Sequence, residues 1–308
     1  VKLEVRGWHN APMQHSAGVD DPASASQGYL ERPPVPALAG LVSSVWIQQV
    51  APEADPYTHR NTPHGGVELV CRVGSVPRIV GPLTRPRVEV LAPGTTVVGL
   101  RFRPGAVPSF LALPASELLD LAVEADELWG RAAVALGERV DDAASPTKAL
   151  AGLQRHIVGR LGDAPGPDPL VSEAVRQLMP WRRAEVGSLT SSLFLSERQL
   201  RRRFQAAIGL APKALHRTLR FQGFLALTQE AIASGRPPTG DGLAGLAAEA
   251  GYADQPHLTR ECLRLTGLPP RAFLGEVEDH CGCGHDHAAT FMPLLRSRPL
   301  PAPPSTQA

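Results

Sequence analysis

The pattern of apolar and polar positions changes once along the chain, and the change divides it. Between about Tyr29 and Phe102 the apolar residues come in short runs rich in β-branched side chains: 42–50, 67–73, 77–81, 87–91 and 95–102. Each run has strand length, and Pro, Gly, Asn and Asp separate one from the next, as turns require. Five such runs at close spacing predict a small antiparallel sheet or barrel. From residue 115 the spacing shifts to three and four, predicting helices over 115–121, 125–140 and 145–162. Ser145 followed by Pro146 is a helix start, a capping hydroxyl with proline in the first turn. Residues 163–169, DAPGPDP, read as a linker. Residues 170–275 then read as helices only. The expected organisation is a loose N-terminal segment at 1–28, a β-rich domain at 29–162, the linker, an all-helical domain at 170–278, and an aperiodic tail at 279–308. The fold class is α+β, with a barrel-like β domain preceding an all-α one.

Composition narrows the reading. The chain has 308 residues, 43% of them hydrophobic and 20% charged, as in ordinary globular proteins. The formal net charge is +1, so affinity for nucleic acid would have to come from a local basic patch. No run of 18 apolar residues occurs, and the first residues lack the apolar core of a secretory signal, which predicts a cytoplasmic protein without a membrane span. Four cysteines without framework spacing suit free thiols or metal ligands better than disulfides. No Gly-x-Ser-x-Gly, His-Glu-x-x-His, phosphate loop or dinucleotide fingerprint is present, and nothing asks for an enzyme.

Two helical segments, 189–209 and 246–267, share one shape. Each has a short apolar helix, a turn, a polar cap, then a helix with an arginine-bearing outer face ending in glycine. Aligning Arg202 with Arg260 also aligns Leu200 with Leu258 and Gly209 with Gly267, an internal repeat of a helix-turn-helix. In the first unit Leu200 and Phe204 face inward, while Arg198, Arg201 and Arg202 share the opposite face. Such a helix suits a major groove, where arginine offers paired donors to guanine. Lys213, Arg217 and Arg220 extend the positive charge along the next helix, with Arg203 flanking the first, and phosphate contact is the simpler role for these four. The helix between the units spans about 30 Å at about 1.5 Å per residue, close to the roughly 34 Å between successive major grooves.

SERQLRRRF, GLAPKALHRTLRFQ and LAAEAGYADQPHLTRECLRLTGLPPRAF together resemble the AraC/XylS family of bacterial transcription regulators. The resemblance covers about 100 residues, including a Gly-x-x-Pro after each unit (Gly209 to Pro212, Gly267 to Pro270). It implies a bipartite double-stranded DNA operator, with Arg198, Arg201 and Arg202 contacting bases in the first unit and Gln255, Pro256, Thr259 and Arg260 in the second. RNA polymerase and a second copy of the chain are candidate partners. Thr190, Phe194, Pro256 and Cys262 depart from the family pattern. Pro256 has no donor to offer a base, so specificity is expected to rest mainly on the first unit.

The N-terminal part resembles a sensor-like domain found ahead of this module in some members of the family, without an implied ligand. His64, Glu68, Arg101 and Arg103 are the polar candidates for an effector site there, and Cys71 is expected in the core. The tail carries HCGCGHDH at 280–287. In an extended chain Cys281, Cys283, His285 and His287 point to one side and could hold Zn²⁺, Ni²⁺, Co²⁺ or Cu⁺. Three readings follow: a regulator responsive to a transition metal through the tail, a regulator sensing an organic molecule in the N-terminal domain, or a metal-handling protein with a vestigial DNA-binding fold.

Overall fold

The structure, a computed structural model, describes residues 27–162, 166–182, 186–235 and 241–280. The N-terminal part contains β1 (Gln27–Arg32), β2 (Val42–Val50), β3 (Tyr57–Asn61), β4 (Glu68–Arg72), β5 (Arg78–Val80), β6 (Arg87–Leu91), β7 (Thr96–Phe102) and β8 (Ala122–Glu124), with helices α1 (Pro108–Leu111), α2 (Asp126–Trp129), α3 (Arg131–Asp141) and α4 (Pro146–Leu161). Six strands form one antiparallel sheet in the order β1-β2-β7-β4-β5-β8, and β3 and β6 pair separately. The β-rich domain is as expected, but the main sheet keeps open edges at β1 and β8 rather than closing into a ring.

Alternation along the strands sorts the two faces of the main sheet. Val45 and Ile47 of β2, Leu69 and Cys71 of β4, and Val98, Leu100 and Phe102 of β7 join the main core with Leu136 of α3 and Leu153 and Ile157 of α4. Burying each such aliphatic side chain stabilises the domain by about 1.5–3 kcal/mol. The intervening residues, among them Trp46, Glu68 and Val97, lie on the face that borders the β3–β6 pair. Ser145 accepts from the Lys148 amide and starts α4 as its sequence indicated. The helix expected over 125–140 is broken at Gly130, where φ is +54°, and the one expected over 115–121 is a short 3-10 turn at Ala115–Leu118.

The C-terminal part contains α5 (Pro169–Gln177), α6 (Ser188–Ser192), α7 (Glu197–Ala207), α8 (Pro212–Ala233), α9 (Asp241–Glu249), α10 (Gln255–Thr266) and α11 (Pro270–His280). It has two cores. Leu189, Leu200, Phe204, Leu215 and Leu219 belong to the first, and Phe221, Phe224, Leu258, Cys262 and Phe273 to the second. The two ends of α8 therefore serve different cores, and α8 is the beam between the units. No helix among the described residues is long and apolar enough to cross a membrane.

Candidate nucleic-acid interface and ligand cavity

The helix-turn-helix units are α6–α7 and α9–α10. Ser196 caps α7 in a reciprocal box with Gln199, and Asp254 caps α10 by accepting from the His257 amide. These caps satisfy amides at the helix starts and fix where each second helix begins. Gly209 and Gly267 both take left-handed backbone (φ +80° and +79°), and Pro212 and Pro270 each open the helix that follows.

The turns are alike but not equal. The Phe194 and Leu195 amides donate to the Ser191 and Thr190 carbonyls, and the Gly251 and Tyr252 amides donate to those of Ala248 and Ala247. Both patterns close a helix through one residue of positive φ. In the second unit that residue is Gly251, three positions before its cap, and in the first it is Phe194, two positions before, with φ +52°. An L side chain is strained in that region, and Phe194 is 94% exposed, so burial offsets none of the strain. Phe194→Gly is expected to raise stability by about 1 kcal/mol, measured by thermal unfolding. A lower melting temperature would show that the phenyl ring is held by contacts.

On α7, Arg198, Arg201 and Arg202 are exposed, and among the described residues no carboxylate pairs with them. Their spacing puts them on one stripe opposite Leu200 and Phe204, as their sequence indicated. On α10, Gln255, Pro256 and Arg260 are exposed, while the half-buried Thr259 donates its hydroxyl to the Gln255 carbonyl (3.0 Å). Two of the arginines expected on phosphates are engaged within the protein. Arg203 pairs with Asp168, whose carboxylate also caps α5, and Arg217 of α8 forms a two-pronged pair with Glu261 of α10. Burial alone would push the Glu261 carboxyl up, but Arg217 more than offsets it and holds the group below its ordinary value. Arg220 lies over the Tyr252 ring (5.8 Å), and Lys213 remains exposed.

In the N-terminal domain, a cavity of about 210 Å³ opens between the main sheet and the β3–β6 pair. Its apolar wall comes from Trp46, Val70, Val80, Leu91 and Val97, and its polar wall includes His59, Asn61, Arg72, Arg78, Arg87 and Glu89. Arg72 and Arg78 lie 3.5 and 3.9 Å from the Glu89 carboxylate. The buried Trp46 Nε1–H has no hydrogen-bond partner among the described residues. Of the four effector candidates read from the sequence, only Glu68 lines this cavity. It accepts from Arg101 Nε (2.7 Å) and Asn61 Nδ2 (2.6 Å), and His64 Nε2 stands 3.7 Å away. Arg101 also donates to Glu31 (3.0 Å), which in turn accepts from the Tyr29 hydroxyl. Arg101 and His64 thus support the cavity floor rather than line it, and Arg103 stands apart, bonded to the Ala39 carbonyl. The lining residues of β3 were missed because YTHRN shows no apolar alternation. Its inward positions, His59 and Asn61, are polar because they face a cavity rather than a core.

Cys71 and Cys262 are buried, and burial pushes their thiols up to about 12 and about 11. No group of three metal-ligating side chains occurs among the described residues. Cys281, Cys283, His285 and His287, expected to hold a metal, lie outside them.

Residues 189–276 match a family described as a helix-turn-helix domain, and residues 30–124 match a domain of unknown function (DUF6597). No curated protein matches the chain. Among solved structures, ToxT from Vibrio cholerae O395 aligns over 82% of this chain and 98% of its own, at 10% identity and a TM-score of 0.40. The same protein bound to (E)-4-(8-methylnaphthalen-1-yl)but-3-enoic acid aligns over 81% and 98%, at 11% identity and 0.41. By these matches the chain carries a C-terminal helix-turn-helix domain behind a DUF6597 domain.

Proposed function

We propose that this protein regulates transcription by reading two adjacent major grooves of double-stranded DNA with α7 and α10, under the control of a small organic molecule held in the N-terminal cavity. The observation that carries the first half is the exposed stripe of Arg198, Arg201 and Arg202 on α7, presented on a capped helix whose other face is core. At 22 residues, α8 spans about 33 Å, which suits two grooves on one face of the duplex. Gln255 and Arg260 are the side chains of α10 best placed for bases, while Lys213 suits a phosphate.

The cavity supports the second half. It is smaller than the roughly 300–1,000 Å³ of drug-sized sites, so its ligand is small. Trp46 and the valines offer an apolar wall, the indole N–H offers a donor, and three arginines against Glu89, Glu124 and a Glu68 already paired with Arg101 favour an acidic group.

Selection from a random duplex library, followed by sequencing, tests the DNA reading. Enrichment of a two-part site is expected, and enrichment of nothing above background would sink it. A thermal-shift screen of small acids, amides and amines tests the cavity. Stabilisation by an acid should disappear in Val70→Trp, which fills the wall with an indole. Equal stabilisation of that variant would move the ligand elsewhere.

A further inference from the structure

The loop at 81–86, GPLTRP, joins β5 to β6, and both strands line the cavity. The loop also reaches the DNA-binding domain at two equivalent places. A Cβ on Gly209, at the end of α7, would lie 2.9 Å from Pro82 Cγ and 2.8 Å from the Ala115 carbonyl oxygen. A Cβ on Gly267, at the end of α10, would lie 3.6 Å from Pro86 Cγ and 3.8 Å from Arg60 Nη1. The same loop therefore abuts both recognition helices at the same position of the repeat. Between these ends, Leu83 is 4% exposed. Leu83 and Thr84 border a small gap with Leu210 and Thr218 on one side and Glu261 and Leu265 on the other, the seam between the two units.

The loop is braced from behind. The Thr84 amide and hydroxyl both donate to the Asp120 carboxylate (2.7 and 2.6 Å), and the Asp120 amide donates to the Pro82 carbonyl (2.9 Å). Two further bonds cross from β3 and the segment after it. Arg60 donates to the Thr266 carbonyl at the end of α10 (3.0 Å), and Gln222 in the middle of α8 donates to the Pro63 carbonyl (2.8 Å). A wedge with three fixed contacts is stiffer than a helical beam alone, because a small bend in α8 becomes a large displacement at its ends.

We infer that the β5–β6 loop is a spacer that sets the separation and angle of α7 and α10, and so selects operators by the distance between their half-sites. This rests on the reading that both helices enter DNA. Bases are then chosen by the arginines of α7 and the outer face of α10, and spacing is chosen by Leu83 and its brace on Asp120.

The experiment uses the full chain and a random duplex library, with wild type, Leu83→Ala, Asp120→Gly and Arg202→Ala compared. Asp120 has φ +58°, so glycine keeps its backbone while removing the carboxylate that holds Thr84. Wild type is expected to enrich two half-sites at one spacing. Inserting one base pair turns the second half-site by about a tenth of a helical turn and should lower affinity about tenfold or more. Leu83→Ala and Asp120→Gly should enrich the same half-site bases at several spacings and tolerate the insertion within about threefold. Arg202→Ala should do the reverse, losing bases at one position and keeping the spacing. Unchanged spacing preference in both loop variants overturns the proposal, as does a wild type indifferent to the insertion. Failure of wild type to enrich any sequence overturns the DNA reading itself, a different result from enrichment without a loop effect.

Discussion

Arg202→Ala is expected to weaken binding to the selected operator by about 1–3 kcal/mol, or roughly tenfold to a hundredfold. Binding to random duplex should change far less. The asymmetry follows from where the charge sits. Arg202 lies on the exposed stripe of α7 with Arg198 and Arg201, one turn beyond a helix start fixed by the Ser196–Gln199 box. A guanidinium presented that way can donate twice to guanine, and the loss of two base-specific bonds falls on one sequence only. A phosphate contact gives another signature, with specific and non-specific affinity falling together and a shallower dependence on salt. Titration of both duplexes at several salt concentrations separates the two. Equal loss on both would reassign Arg202 to the backbone.

Arg101→Met should be the most destabilising change in the N-terminal domain. Glu31 and Glu68 are 2% and 1% exposed, and Arg101 donates to both. Its removal leaves two buried carboxylates without a counter-charge, a loss of about 3–5 kcal/mol. Replacing both acids as well, Glu31→Gln and Glu68→Gln, should recover much of the loss. An unchanged unfolding temperature for the single variant would show that the carboxylates find other partners.

The pH dependence of the same cluster has a definite sign. Burial would push the Glu68 carboxyl up, but Arg101, with help from His64, more than offsets this and holds it below its ordinary value. The unfolded chain therefore takes up that proton first, and the stability Glu68 contributes is lost as pH falls through its folded value. Burial holds the His64 ring at about 4, well below the ordinary 6.5, so it too favours unfolding as pH drops from about 6.5 towards 4. Wild type should lose stability steadily on acidification. Arg101→Met should lose less, because Glu68 without its guanidinium partner gains from protonation, and the gap between the two should narrow as pH falls. Urea unfolding at several pH values measures it, and a constant gap would contradict the linkage.

What could be read from sequence follows from what each residue faces. The runs that became β2, β4, β5 and β7 carry apolar residues toward a core, and their pattern is visible in one dimension; β6 shows the same alternation although Val88 and Val90 face outward and Arg87 and Glu89 line the cavity. β1, β3 and β8 are short or polar, and β3 turns His59 and Asn61 toward a cavity, so no apolar rhythm marks it. The exposed arginine stripe on α7 was legible because cap, core positions and arginines fall within one short window. The ion pairs of Arg203 and Arg217 were not legible because their partners, Asp168 and Glu261, lie 35 and 44 positions away along the chain. A charge run shows where cations are, but not which of them the fold has already neutralised. The spacer loop gave no signal at all, since GPLTRP acquires its role only when Gly209 and Gly267 are brought against it.

The two helix-turn-helix units are unequal in ways that matter beyond the protein. One turn is built on Phe194 and the other on Gly251, the second helix of one unit carries three exposed arginines, and that of the other begins with glutamine and proline. A pair of identical subunits would ask for a palindrome, whose two ends are interchangeable. A single chain that reads DNA with unlike units, as proposed, has a head and a tail, and its operator would need them too. Reversing such a site in a promoter would keep every protein–base contact, yet put the N-terminal domain on the opposite side of the site relative to the start of transcription. Orientation would then be a variable the genome can set independently of affinity.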